Sequence, residues 1–147
     1  MRDIVLFDLD GTIGLIQHRV HHISGKQRNW QAFFAACGDD LPNAPVIETL
    51  HTHAARHRIW IASGRSDEVR AETEAWLDLY VGMHHIDRLL MRRAGDRQAD
   101  DRLKRGWLRN GSIPRERILC VYDDRQRVVD MWRSEGLACF QVAPGDF

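Results

Sequence analysis

Long apolar runs, proline and cysteine are all scarce in this sequence, and each scarcity excludes a class of protein. No segment of the 147 residues is long and apolar enough to cross a bilayer, so no membrane-spanning helix is expected. With four prolines, 44% apolar residues and 29% charged residues, the composition is that of an ordinary globular protein and not of a low-complexity chain. No signal-peptide pattern precedes the first strand-like run, so export is not expected.

The three cysteines do not suit a disulfide-stabilised secreted scaffold, because they are widely spaced and odd in number. They are Cys37, Cys120 and Cys139. The second and third fall in apolar strand-like runs, where free thiols are usually buried. We therefore expect a reducing, cytoplasmic location.

Net charge is also absent, since 21 basic residues balance 21 acidic ones. A neutral chain is not expected to wrap a nucleic-acid duplex by broad electrostatic attraction. Gripping one phosphorylated strand end remains compatible with this balance, because a single guanidinium can hold a phosphate through two hydrogen bonds.

Apolar runs alternate with segments of helical spacing, which predicts an α/β fold with a mainly parallel sheet of about five strands, covered on both faces in three α/β/α layers. We predict one domain over 1–147, with a small cap-like insert at 13–45 that is too short for a large separate cap domain. The predicted strands are 3–9, 58–62, 88–91, 118–122 and 137–142. The predicted helices lie near 30–37, 44–56, 66–79, 99–109 and 125–135, and 11–29 is predicted to be irregular.

The first apolar run, Ile4 to Phe7, leads directly into Asp8-Leu9-Asp10-Gly11-Thr12. Side chains two residues apart on a strand point to the same side, so Asp8 and Asp10 are expected together at the carboxyl end of the strand. Two close carboxylates repel each other unless a cation or a shared proton relieves them. The motif favours a metal site or a proton-transfer role; the alternative is an acidic turn that only closes a strand.

Three further polar groups follow the same pattern. Run 59–62 ends in Ser63-Gly64-Arg65, run 118–122 ends in Asp123-Asp124, and Lys104 lies between them in a helical segment. Each has a structural alternative: a serine-glycine turn, an N-cap for the following helix, and an exposed lysine.

An acid pair, a hydroxyl, a lysine and a second acid pair, in this order, resemble the four motifs of the haloacid dehalogenase (HAD) superfamily of phosphotransferases. The resemblance implies a HAD-like Rossmannoid fold. Residues 123–133 with 141–147, together with 63–65 and 95–97, further resemble the phosphatase half of phage polynucleotide kinase-phosphatases. The kinase half of that family has a P-loop, and G-x-x-x-x-G-K-[ST] does not occur here.

The resemblance implies roles for the charged motif residues. Asp8 would be the nucleophile that forms an aspartyl-phosphate, and Asp10 the general acid and base, a role that suits a pKa raised by a like-charged neighbour. Mg²⁺ would be held by Asp8, by the main-chain carbonyl of Asp10, and by Asp123 and Asp124, with Asp123 favoured as the direct ligand. Lys104 would bridge nucleophile and phosphate. Phosphate or substrate contacts are implied for Thr12, Arg19, Ser63, Gly64, Arg65 and Asp100.

The function implied is a magnesium-dependent phosphomonoesterase that removes 3′-phosphates from DNA or RNA ends. One alternative is a nucleotidase or another small-molecule phosphatase. Another is a non-catalytic binder of phosphorylated ends, which the two intact aspartates Asp8 and Asp10 disfavour because binding needs no nucleophile. A separate kinase or ligase could work beside it, and the oligomeric state stays open. Of the five tryptophans, Trp30 is expected to overhang the site and the others to pack the core.

Overall fold

A computed structural model describes residues 1–146; Phe147, the last residue of the predicted domain and of the C-terminal motif, lies outside the described residues. The strands are β1 (Ile4–Phe7), β2 (Gly14–Leu15), β3 (Leu41–Pro42), β4 (Arg58–Ser66), β5 (Ile86–Arg92), β6 (Ile118–Asp123) and β7 (Cys139–Gln141). The α-helices are α1 (Trp30–Ala35), α2 (Ala44–Ala54), α3 (Arg70–Tyr80), α4 (Asp100–Arg109) and α5 (Gln126–Ser134). In this described part, no helix has the length and apolar character that a bilayer crossing requires.

The predicted parallel sheet is confirmed, with five strands in the order β5-β4-β1-β6-β7 and every pair parallel. Its centre is β1, where Phe7 lies between Ile61 of β4 and Tyr122 of β6. All four residues of β1 are fully buried, which is why the strand is a continuous apolar run and not an alternating one.

Helices cover both faces of this sheet. Ile4 and Leu6 of β1 belong to a core cluster with α4 and α5, in which Trp132 is fully buried. Val5 and Phe7 point the other way, into a cluster with α2 and α3. The alternation follows from the two-residue period of a strand and gives the three predicted layers.

The segment 13–45 leaves the sheet after β1 and returns at α2. The predicted irregular stretch contains β2, which pairs antiparallel with β3 near the end of the segment. Ile16, Ile23 and Phe33 form a small apolar cluster of their own. The two-residue strands are too short to give a readable alternation in the sequence.

Two sequence predictions differ from the structure at the carboxyl end of β4. The strand continues to Ser66, through an irregularity between Ser63 and Ser66, and α3 begins only at Arg70. The predicted helical start at 66 is wrong because the Ser66 hydroxyl accepts a hydrogen bond from the Glu68 backbone N–H, capping a short 3-10 turn first. The predicted burial of Cys120 and Cys139 is confirmed; all three cysteines are free and buried.

Candidate active site

Three carboxylates from two neighbouring strands meet at one edge of the sheet. Asp8 follows β1, and Asp123 and Asp124 stand where the adjacent β6 ends. Carboxylate oxygens of all three lie within 4.8 Å of one another, and the three residues are buried. Parallel strands place their carboxyl ends at a common edge, so two segments more than a hundred residues apart form one cluster.

Lys104 lies in the middle of this cluster. Its Nζ is 2.7 Å from Asp8 Oδ1 and 3.3 Å from Asp123 Oδ2, and Asp100 Oδ2 lies 3.8 Å away. The side chain is 0% exposed, so the alternative of a solvated helical lysine is wrong. The acid at 100 and the lysine at 104 share one face of α4, as their four-residue spacing predicts.

The cluster contains three carboxyl groups beside the single ammonium group of Lys104. Burial, with repulsion from Asp123, raises the pKa of Asp8 well above its ordinary value and that of Asp124 to about 7. Burial alone would lower the pKa of Lys104, but Asp123 and Asp8 raise it well above its ordinary value. One ammonium does not neutralise three carboxylates, and an all-oxygen donor set of this kind suits a hard divalent cation.

The two adjacent aspartates differ in what they face. Asp123 Oδ1 accepts the backbone N–H groups of Asp124 and Arg125, and its Oδ2 accepts from Lys104 and, at 3.1 Å, from Trp132 Nε1. Asp124 instead lines the open cleft above the cluster. The geometry of the turn thus gives Asp123 the capping contacts and leaves Asp124 facing the open cleft.

Thr12 bridges the two acidic segments and does not line the cleft. Its Oγ1 lies 3.2 Å from Asp8 Oδ2 and 3.3 Å from Asp124 Oδ1. Gly11 before it has a φ of +81°, and a Cβ there would collide with the Asp124 carboxylate. The turn therefore needs a glycine to bring β1 and Asp124 this close.

Asp10 does not share the surroundings of Asp8. Its Oδ1 accepts Arg19 Nη2 at 2.6 Å and Arg65 Nη2 at 2.5 Å. Burial would raise the pKa of Asp10, but Arg65 and Arg19 outweigh it and hold the pKa below its usual range. The expectation of a pKa raised by a like-charged neighbour is therefore wrong, because the side chain turns toward two guanidiniums.

Both arginines lie behind Asp10 and are almost completely inaccessible, at 0% and 1% exposure. Neither Arg19 nor Arg65 lines the cleft, so both meet carboxylates here and not open space for a phosphate. Their second partner is Asp40, which sequence reasoning missed. Arg19 Nε donates to Asp40 Oδ1 at 2.7 Å, and Arg65 Nη2 to Asp40 Oδ2 at 3.1 Å.

Asp40 also fixes the surrounding elements. His18 Nε2 lies 2.7 Å from its Oδ1, and Trp76 Nε1 of α3 donates to its main-chain oxygen at 2.8 Å. No sequence signal identifies this residue, because it lies 21 and 25 positions from the two arginines that it pairs.

Ser63 and Gly64 form the turn at the end of the predicted second strand. Ser63 is buried, and its Oγ accepts the Arg65 backbone N–H at 3.0 Å. Gly64 lines the cleft beside Asp100, and a Cβ on it would collide with that carboxylate. Arg92, which sequence reasoning also missed, donates to the Gly64 carbonyl at 2.7 Å and to Asp100 at 3.4 Å.

A cleft of about 900 Å³ opens above these groups. Of the predicted site residues, Asp8, Asp10, Gly64, Asp100 and Asp124 line it, and Thr12, Arg19, Ser63, Arg65, Lys104 and Asp123 do not. Its further lining includes five arginines to which the sequence analysis gave no role: Arg28, Arg92, Arg97, Arg125 and Arg127. The segment 13–45 contributes four apolar side chains to the lining, from Ile23, Trp30, Phe33 and Phe34, beside the polar residues Gln27, Arg28 and Asn29.

The chain was compared with a family model and with solved structures, and both comparisons relate it to phosphatases or to proteins that contain this domain. Residues 2–147 match the family model described as the polynucleotide kinase PNKP phosphatase domain. Two structures of the Pnkp1/Rnl/Hen1 complex, one described as an RNA repair complex, contain a chain that is 32% identical, with a TM-score of 0.82. They match 99% and 100% of this chain but only 44% and 48% of their own, so this chain spans less than half of those proteins.

A HAD family enzyme from Bacteroides thetaiotaomicron, solved in complex with magnesium and inorganic phosphate, shares the fold at a TM-score of 0.60. The identity is 9%, with 100% of this chain and 97% of that chain covered. The match over residues 2–147, together with the sheet order and the acidic cluster, shows that the chain belongs to the PNKP phosphatase domain family of HAD phosphatases.

Proposed function

We propose that this chain is a magnesium-dependent phosphomonoesterase that removes 3′-phosphates from polynucleotide ends through an aspartyl-phosphate on Asp8. The observation that carries the proposal is the position of Asp8 on the floor of the cleft, with Lys104 at 2.7 Å and two further carboxylates beside it. A binding module would have no need of a nucleophile, whereas Asp8 borders the cleft with its Oδ1 held by Lys104.

Asp8 attacks phosphorus with a carboxylate oxygen, and the bond between phosphorus and the 3′ oxygen breaks. Lys104 holds Asp8 in one orientation and offsets charge on the phosphoryl oxygens, and the backbone at Gly64 borders the same space. Water then attacks the aspartyl-phosphate, which releases inorganic phosphate and restores Asp8.

Asp10 moves the proton in both steps. It gives a proton to the leaving 3′ oxygen and later takes one from the attacking water. Because Arg19 and Arg65 keep Asp10 ionised in the absence of substrate, the proton has to arrive with the substrate. A phosphate monoester carries one proton below its second pKa of about 6, and Asp10 can relay that proton to the leaving 3′ oxygen as the bond to phosphorus breaks.

The residues present fit Mg²⁺, since Asp8, Asp123 and Asp124 supply oxygens within 4.8 Å of one another, and a cation there would favour their ionised forms. We propose Asp8 and Asp124 as side-chain ligands, with Asp123 as a ligand or as the group that orients Lys104, and the main-chain carbonyl of Asp10 as a further ligand. When bound, the ion would neutralise charge on the phosphoryl oxygens.

The polynucleotide end is proposed as substrate because the cleft is larger than a phosphate requires and the segment 13–45, a small cap in this proposal, covers only one side of it. A chain of 32% identity was solved in a complex described as an RNA repair complex, which favours a nucleic acid end over a metabolite. A separate kinase or ligase would then complete the repair.

The first test compares phosphate release from a 3′-phosphorylated oligonucleotide, a 5′-phosphorylated one and mononucleotides, each with Mg²⁺ and with EDTA. We expect the highest kcat/KM with the 3′-phosphorylated end and no turnover in EDTA. Equal or better kcat/KM for mononucleotides would instead favour a nucleotidase.

Asp8→Asn is the matched variant, since it keeps the size of the side chain and removes the nucleophile. We expect it to fold as the wild type and to release no phosphate. Equal turnover by both proteins, or no turnover by either with Mg²⁺ present, would contradict the catalytic proposal.

A further inference from the structure

The apolar side chains of the cleft include a large exposed aromatic ring, that of Trp30, in the same cleft as the carboxylates Asp8 and Asp124. Trp30 is 38% exposed, whereas Trp60, Trp76 and Trp132 are buried in the core. Its ring lies 5.9 Å from that of Phe34, at an interplanar angle of 31°, and both line the cleft that contains Asp8. A solvent-facing ring in a cleft offers a flat surface for stacking.

Trp30 and Phe34, called the aromatic wall below, are held in place by contacts that lead back to the residues around Asp10. Arg19 places its guanidinium 4.2 Å from the centroid of the Phe33 ring and donates from Nη1 to the Phe33 carbonyl at 3.1 Å. Phe33 in turn meets Trp30 edge to face at 5.6 Å. The start of α1 is fixed by Asn29, whose side chain accepts the Ala32 backbone N–H at 3.0 Å. The position of the Trp30 ring is therefore fixed by Phe33 and by the capped start of α1.

Cations lie in the same cleft as the wall. Arg28 and Arg97 line it, are exposed, and make no ion pair within the residues that the structure describes. A phosphorylated chain end carries a flat base and, one nucleotide away, another phosphate. The combination of a flat apolar ring with uncommitted guanidiniums matches both groups.

We infer that Trp30, backed by Phe34, stacks on the nucleobase of the nucleotide whose 3′-phosphate lies over Asp8, and that Arg28 and Arg97 face the next phosphate of the strand. This inference rests on the proposed function and adds the binding site for the chain end. Stacking accepts any base, since every base has an aromatic face, so the site selects a strand end and not a sequence.

The test compares the affinities of two oligonucleotides for protein variants with and without Trp30, all in the Asp8→Asn background, which is expected to be inactive, and with Mg²⁺ present. Binding is measured by fluorescence anisotropy of a 5′-labelled, 3′-phosphorylated oligonucleotide. The oligonucleotide ends either in a normal nucleotide or in an abasic sugar. With Trp30 present, we expect loss of the base to weaken binding about tenfold. With Trp30→Ala, we expect the two oligonucleotides to bind within about twofold of each other, and Trp30→Phe to restore most of the difference.

Tyr80→Ala is the matched control, because Tyr80 is a similarly exposed aromatic residue, at 39%, that does not line the cleft. This variant should discriminate between the two oligonucleotides as the wild-type background does. The inference is overturned if Trp30→Ala keeps the full difference, or if no variant binds either oligonucleotide. Phosphate release is measured separately with Asp8 intact, so its absence alongside a positive cycle would overturn the proposed activity and leave the stacking site standing.

Discussion

At the scale of single residues, Lys104 is the clearest case of burial deciding a role. The chain has two lysines, and Lys26 lies exposed in the segment 13–45, whereas Lys104 is fully buried among three carboxylates. A buried ammonium persists only where opposite charges offset its lost hydration. The same contacts that stabilise this ammonium keep Asp8 pointed toward the cleft.

Lys104→Ala is expected to lower the free energy of unfolding by about 3 kcal/mol, because it leaves Asp8 and Asp123 buried without their cation. Added Mg²⁺ should recover part of the loss, and it should stabilise this variant more than the wild type. Urea denaturation with and without Mg²⁺ measures both effects. Lys26→Ala serves as the control and should unfold as the wild type; equal stability of the two variants would contradict the account.

At the scale of elements, Asp40 connects three parts of the structure that are far apart along the chain. Its carboxylate pairs Arg19 from the segment 13–45 with Arg65 from β4, and its carbonyl accepts Trp76 from α3. Through the two arginines it determines which way Asp10 faces. The segment that carries the aromatic wall is therefore fixed to the sheet by buried charge as well as by its small apolar cluster.

Asp40→Asn is expected to cost about 3 kcal/mol of stability, since two buried guanidiniums lose a charged partner. It should also lower kcat for phosphate release, because Arg19 and Arg65 no longer hold Asp10 in place. Thermal unfolding and steady-state kinetics measure the two effects. The neighbouring Asp39 is exposed, and Asp39→Asn should leave both unchanged. An Asp40→Asn protein as stable and as active as the wild type would rule out this role.

At the scale of the whole molecule, zero net charge conceals an uneven distribution. Acidic groups are buried on the cleft floor, and arginines such as Arg28 and Arg97 lie exposed around it. A neutral protein with this arrangement gains little from long-range attraction to nucleic acid. Its affinity for a strand end should instead depend on a few local phosphate contacts.

Arg97→Ala is expected to reduce the salt dependence of kcat/KM for the 3′-phosphorylated oligonucleotide, because it removes one phosphate contact. The slope against log salt concentration should fall by roughly 0.7, the value for one contact to a single strand. Arg93→Ala is the control, since Arg93 is exposed on the same loop but does not line the cleft. Identical slopes for both variants would show that Arg97 does not meet the strand.

The main strands and the edge of the sheet at which the candidate site lies could be predicted from the sequence. Buried apolar runs identify β1, β4 and β6, and a parallel sheet brings their carboxyl ends to one edge, so Asp8, Gly64 and Asp123 were predictable neighbours. The order of the four polar motifs along the chain indicated the HAD superfamily. Helix starts and the short strands β2 and β3 were less predictable, because single hydrogen bonds such as that at Ser66 decide them.

The charges around each carboxylate, in contrast, could be read only from the folded chain. Asp8 and Asp10 are two residues apart, yet one faces Lys104 and like charges and the other faces Arg19 and Arg65. Asp40 carried no sequence signal, since the two arginines that it pairs with lie 21 and 25 residues away. Local patterns encode burial and backbone direction, whereas the pKa of a buried group depends on every charge within a few ångströms, and folding alone brings those charges together.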